Sequence, residues 1–257
     1  MAMVVGIGIG ECHQASSRGG HAYLRYIAKD GQDHGTERRV LRNSGALKPC
    51  QSEAMPVSPP WSEIDTILLD MDGTLLDLHY DNHFWQVYVP EKYAEKHGIE
   101  PAAAHAECFR RYNAKAGTLQ WYCVDYWSEQ LELDIVRLKE ELAQLIQVHP
   151  DVPEFLGAAR QAGKRVVLVT NAHHKSLNLK MDRTGLHVHF DALHSSHAYG
   201  LAKEDPAFWA ALRTAEPFDP SRTLLVDDSL PVLRSARDYG IAHLLAVLQP
   251  DTRLPDK

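Results

Sequence analysis

Residues 64–74 read IDTILLDMDGT, and the parse of this stretch decides the fold. The apolar run over 64–70, ending in an acid, predicts a strand buried on both faces as in a parallel sheet. Asp70 and Asp72, two apart just past that strand, can point the same way into a crevice, and Gly73 permits the tight turn that follows. Residues 81–147 then read as helical. Pro90 and Pro101 suit first helical positions, Gly98 and Gly117 suit positions just after a helix, and Asp134 suits the N-cap of a helix over 135–148. Further on, helices predicted over 151–163, 173–185, 204–214 and 230–240 alternate with strands over 165–170, 190–194, 223–227 and 242–247. That alternation predicts an α/β fold: an open, doubly wound parallel sheet with helices on both faces and a helical insert after the first strand.

The organisation expected is an α/β core over 62–78 and 149–249, an insert over 79–148, an N-terminal extension over 1–61 and a tail over 250–257. The extension differs in composition. Its first 54 residues hold 8 of the 16 glycines and a net charge of +2, against −9 for the remainder. Neither a helical nor a strand period is sustained over 16–45, which predicts poor order there. Gly6, Gly8 and Gly10 resemble a dinucleotide loop only loosely, because Glu11 follows and no βαβ unit does. Pro56, Pro59 and Pro60 make a stiff connector.

Composition narrows the function. With 257 residues, 44% hydrophobic and 24% charged, the balance is that of a globular protein. A net charge of −7 disfavours nucleic acid as a partner. The longest apolar runs, 166–169 and 242–248, are too short to cross a membrane. Cys12, Cys50, Cys108 and Cys123 form no CxxC pair and are expected as free thiols in a reducing compartment, the cytoplasm.

Four predicted strand ends carry chemistry-capable residues, where open α/β sheets place their ligands. They are Asp70 and Asp72, then Thr170 and Asn171, then Lys203, then Asp227 and Asp228. Singly, each has a bland account as a turn, a helix cap or a surface charge. Together and in this order they point to catalysis. Asp70, Asp72, Asp227 and Asp228 would repel one another unless a cation sat among them, and an oxygen-only set favours Mg²⁺. A phosphate monoester fits the balance of charge that the metal and Lys203 supply. Asp70 is then the nucleophile, Asp72 the acid and later the base, and Thr170, the Asn171 backbone N–H and Lys203 the holders of the phosphoryl oxygens.

These residues resemble the four motifs of the haloacid dehalogenase superfamily: Asp70-x-Asp72-Gly73-Thr74, Thr170, Lys203 and Asp227-Asp228, over about 62–249. The resemblance implies a Rossmann-like core, a C1-type helical cap in the insert and Mg²⁺ dependence. It implies Asp70, Asp228 and the Asp72 carbonyl as direct metal ligands, with Asp227 acting through water. Dehalogenases of the superfamily lack the second aspartate, so Asp72 favours phosphate chemistry.

A narrower likeness, to the bacterial GMP/IMP 5′-nucleotidases, rests on DMDGTLLDL (70–78), WYCVDYWSEQ (121–130), TNAH (170–173) and KED (203–205). It implies a nucleoside monophosphate substrate and brings His173 near the phosphate. That group begins near Met55, so Met55 is the expected start; an intact mass matching all 257 residues would refute this. In the insert, Phe84, Trp85, Tyr88, Trp121, Tyr122, Tyr126 and Trp127 suit purine stacking, with two or three expected at the pocket and Asn82 or Arg111 reading a base edge. The alternatives are a phosphatase for a sugar phosphate or phosphoglycolate, and a non-catalytic binding module on the same fold. The histidines at 173, 174, 187, 189, 194 and 197 match no zinc spacing and are expected in loops or at the surface, His173 excepted.

Overall fold

The computed structural model describes Leu24–Ile27 and residues 59–255. Six strands form one sheet: β1 (Leu24–Ile27), β2 (Thr66–Leu69), β3 (Arg165–Thr170), β4 (Ala192–Ser195), β5 (Thr223–Asp227) and β6 (His243–Val247), in the order β1-β6-β5-β2-β3-β4. β2 to β6 run parallel, as the sequence predicts. β1 is an addition, an antiparallel edge strand pairing Leu24 with Val247 and Ile27 with Leu244. Four residues are too few to register a period in the sequence. Of the extension, whose poor order was expected, residues 1–23 and 28–58 lie outside the described residues.

Alternation along each strand builds two cores. Ile67, Leu69, Val166, Leu168, Leu224 and Val226 face one way, against Phe155 and Leu156 of α6 (Val152–Gln161) and Leu177 and Met181 of α7 (His174–Thr184). Leu68, Val167, Val169 and Leu225 face the other way. They meet Phe208, Trp209 and Leu212 of α8 (Pro206–Ala215) and Val232, Leu233 and Ala236 of α9 (Leu230–Tyr239). Period-two alternation with both faces apolar is why these strands read as continuous hydrophobic runs.

The insert has its own core. α1 (His79–His83), α2 (Val89–His97), α3 (Pro101–Asn113), α4 (Val124–Leu131) and α5 (Ile135–Glu141) pack around Phe84, Cys108, Tyr112, Trp127 and Leu131. Asp134 caps α5 as predicted, accepting the Arg137 N–H at 3.1 Å. Pro90 is the second residue of α2, in its first turn as predicted, although the chain is already helical before it. The chain is helical from His79 to His97, and a wide π turn over Phe84–Tyr88 precedes the proline. A proline offers no N–H to an upstream carbonyl and crowds the preceding turn, which the wider turn relieves. Gly117 closes a turn beyond α3 and does not cap it directly.

The chain's two passages between core and insert pair with each other. Leu76 bridges Val148, and the His149 N–H reaches the Leu75 carbonyl at 2.9 Å. This pins the insert over the C-terminal ends of the parallel strands.

Candidate active site

Asp70 follows β2 directly, Thr170 ends β3 and Asp227 ends β5, so the three central strands deliver their terminal residues to one mouth. Lys203, from the segment after β4, lies buried beneath them at 2% exposure. Its Nζ donates to Asp70 Oδ1 at 2.5 Å, Asp227 Oδ2 at 2.7 Å and the Val169 carbonyl at 3.0 Å. Burial opposes its charge, but Asp227 and Asp70 outweigh that and hold it above the usual lysine range. All three ammonium protons are thereby committed, and Lys203 fixes the Asp70 carboxylate in place.

The carboxylates of Asp70, Asp227 and Asp228 each place an oxygen within 4.8 Å of the others. Burial raises Asp70, Lys203 opposes the rise, and Asp228 adds to it. Asp227 is pushed up to about 8, again by burial first, with Asp70 and Asp228 reinforcing it. Two of these three crowded acids share Lys203, and a further cation among them would offset their mutual repulsion. Oxygen donors alone suit a hard divalent ion, so the residues fit Mg²⁺ on donor chemistry.

Gly73 makes the close approach possible. It sits at φ +82°, and a Cβ there would lie 2.9 Å from both Asp228 Cγ and Pro250 Cβ. Asp72 is part-exposed, and its carboxyl is pushed up to about 7: burial raises it, Lys180 lowers it, and Asp81 and Asp70 raise it again.

Lys180 is absent from the sequence reading. Buried at 1% exposure on α7, it donates to Asp72 Oδ1 and to Asp81 Oδ2, both at 2.6 Å. Asp81 Oδ1 in turn accepts from the buried Lys139 of α5 at 2.9 Å. Burial alone would raise Asp81, but Lys139 and Lys180 overcome this and hold it near 2. An ion chain Asp72–Lys180–Asp81–Lys139 thus runs from the strand-end loop into the insert. Lys180→Met should cost about 3–5 kcal/mol, because it leaves Asp72 without its buried ammonium partner and Asp81 with Lys139 alone. Urea denaturation checks this; a loss below about 1 kcal/mol contradicts it.

The remaining predicted residues divide. Thr170 Oγ1 accepts the Ala172 N–H at 3.0 Å and keeps its own proton to donate. The Asn171 side chain is occupied in positioning: Oδ1 accepts the Lys203 N–H at 2.9 Å and Nδ2 donates to Glu204 Oε2 at 2.9 Å. Glu204 Oε1 accepts from Tyr122 of the insert at 2.5 Å. His173 is N-terminal to α7, its Nδ1 accepting the Lys175 N–H at 3.4 Å, and it is not among the residues that line the cavity.

That cavity, of about 620 Å³, opens above Asp70, Asp72, Lys203 and Asp228. Of the seven aromatics considered from sequence, Trp85, Trp121, Tyr122 and Trp127 line it, more than the two or three expected; Phe84, Tyr88 and Tyr126 do not. Phe109 and Tyr112 line it unforeseen. Asn82 lines it too, with its amide on Asp251 Oδ2 at 2.7 Å. Arg111 does not: Glu107, one turn back on α3, holds its Nε at 2.7 Å.

The family model for haloacid dehalogenase-like hydrolases matches residues 64–240. The chain is 43% identical over 203 residues to the GMP/IMP nucleotidase YrfG of Escherichia coli, covering 79% of this chain and 91% of that one. It is 27% identical over 184 residues to an N-acetylmuramic acid 6-phosphate phosphatase of Pseudomonas aeruginosa, covering 69% and 79%. A HAD phosphatase from Thermococcus onnurineus shares the fold, with a TM-score of 0.62 at 24% identity, covering 69% of this chain and 84% of that one. Among the described residues no helix is long and apolar enough to cross a membrane. The family match over the core and insert, together with a relative aligned along nearly its whole length, makes this chain a member of the haloacid dehalogenase-like hydrolases.

Proposed function

We propose that the protein is a cytoplasmic, Mg²⁺-dependent phosphatase that hydrolyses purine nucleoside 5′-monophosphates, GMP and IMP, through a phosphoryl group carried on Asp70. The observation that carries the reading is the buried Asp70, fixed by Lys203 under a cavity walled by Trp85, Trp121, Tyr122 and Trp127. Flat aromatic walls above a phosphate-sized acidic floor suit a planar base at one end and a phosphate at the other. The identity to the GMP/IMP nucleotidase supports the same choice.

The Asp70 oxygen not held by Lys203 attacks phosphorus as the bond to the ribose O5′ breaks. Asp72 gives its proton to O5′, and the nucleoside leaves; a carboxyl near 7 holds that proton at neutral pH. Asp72, now ionised, takes a proton from water, which attacks phosphorus, releases phosphate and restores the Asp70 carboxylate. Thr170 and the Asn171 backbone N–H hold phosphoryl oxygens, and Lys203 balances their charge. The Asp70 and Asp228 carboxylates and the Asp72 carbonyl, with Asp227 behind them, would hold Mg²⁺, whose positive charge would let a phosphate dianion approach these acids.

A panel of phosphomonoesters, assayed with and without Mg²⁺, tests the reading. The expected result is a kcat/KM for GMP or IMP at least about tenfold above that for any sugar phosphate or phosphoglycolate, with activity lost after chelation. Equal or faster turnover of a sugar phosphate contradicts the substrate assignment.

A further inference from the structure

Cys123, His173 and His197 are remote in sequence, yet one ligand-capable atom from each lies within 4.8 Å of the other two. Cys123 precedes α4 on the insert, whereas His173 precedes α7 and His197 lies in the turn Ser196–Ala198 after β4. The cluster therefore joins the insert to the core. None of the three lines the cavity above Asp70.

The orientation of the groups favours coordination. The His173 and His197 rings meet edge to face, with centroids 4.9 Å apart. His197 Nε2 is buried with no hydrogen-bond partner, while the backbone of Asn171 bonds the ring. A buried imidazole nitrogen without a partner is one that a bound metal ion would satisfy. Burial, together with the neighbouring His173 and His174, holds His197 down at about 4, and burial also lowers His173. Both shifts favour the neutral ring that a ligand presents. Cys123 Sγ accepts the Tyr126 N–H at 3.4 Å, which fixes the direction of the sulfur. Asp125, in the first turn of α4, faces the His173 ring with Oδ2 at 3.7 Å from Nε2, outside the three-donor set. A packed pair of rings beside a helix cap accounts for His173 and Cys123 but leaves the orphaned His197 nitrogen unexplained.

We propose that Cys123, His173 and His197 form a transition-metal site suited to Zn²⁺, separate from the acidic cluster and tying the insert to the core. One sulfur and two imidazoles are borderline-soft donors that select Zn²⁺ over Mg²⁺. Zn–S and Zn–N bonds of about 2.3 and 2.0–2.1 Å in a tetrahedron set donor atoms about 3.3–3.6 Å apart, so a contraction of at most about 1.5 Å closes the set. On this assignment His173 serves the second metal site and not the phosphate.

The test titrates Co²⁺ into the full-length protein after chelation, with excess Mg²⁺ present. One equivalent should bind with a thiolate-to-cobalt charge-transfer band and be displaced by Zn²⁺. Cys123→Ser should abolish the band, and His197→Ala should weaken binding on the order of a hundredfold or more; Cys12→Ser and Cys50→Ser should leave both intact. X-ray absorption on the Zn²⁺-loaded unmutated protein needs no variant to fold, and should show one sulfur and two imidazoles about the metal. A missing band, a band that survives Cys123→Ser, or an oxygen-only coordination sphere overturns the proposal.

Discussion

Asp70→Asn is expected to lower kcat for GMP by at least about ten-thousandfold while the nucleotide still binds. The amide matches the carboxylate in shape, and its oxygen can still accept from Lys203 Nζ, which approaches Asp70 Oδ1 at 2.5 Å in the unmutated chain. What is lost is the anionic oxygen that attacks phosphorus. Lys203 keeps Asp227 as a buried partner at 2.7 Å, so the variant should remain folded. The measurement pairs steady-state kinetics with equilibrium binding of GMP. Hydrolysis at an unchanged rate would show that another group attacks, and complete inactivity with no route to rescue is what a non-catalytic binding module would show in the unmutated chain.

Asp72→Asn is expected to slow turnover of GMP by about a hundredfold to ten-thousandfold, the usual worth of a positioned acid–base group. An amide can neither protonate the leaving nucleoside nor activate water. With 4-nitrophenyl phosphate, whose leaving group needs no proton, the first step should survive and the second should not. A pre-steady-state burst of 4-nitrophenol, with phosphate remaining on the protein, is the outcome expected. Lys180 loses one of its two carboxylate partners but retains Asp81 at 2.6 Å, which argues that the fold persists. A uniform slowing with no burst would assign water activation to a different group.

The core was legible because its chemistry is written at strand ends. Asp70, Thr170 and Asp227 each stand where an apolar run stops, so locating the strands brought these candidate residues to one mouth. Register mattered less: β4 begins at Ala192, two residues later than expected, without moving Lys203 from the mouth. Contacts between distant segments were not legible. Lys180 meets Asp81 across 99 positions and Asp72 across 108, and on α7 alone it reads as one more surface charge. Cys123 and His197 are likewise united only by the closure of insert on core, which no spacing rule encodes. Aromatic residues were misjudged for a related reason. Helical spacing separates buried from exposed faces, but it cannot tell a face that lines a cavity, such as that of Trp85, from one packed into the insert, such as that of Phe84.

The stereochemical course at phosphorus tests the central claim most directly. With a nucleoside monophosphate made chiral by oxygen isotopes and water carrying the remaining isotope, transfer to Asp70 and then to water makes two in-line displacements. The released phosphate should show net retention. Net inversion would mean that water attacks the substrate in a single step, and Asp70 would then have no covalent part in the reaction.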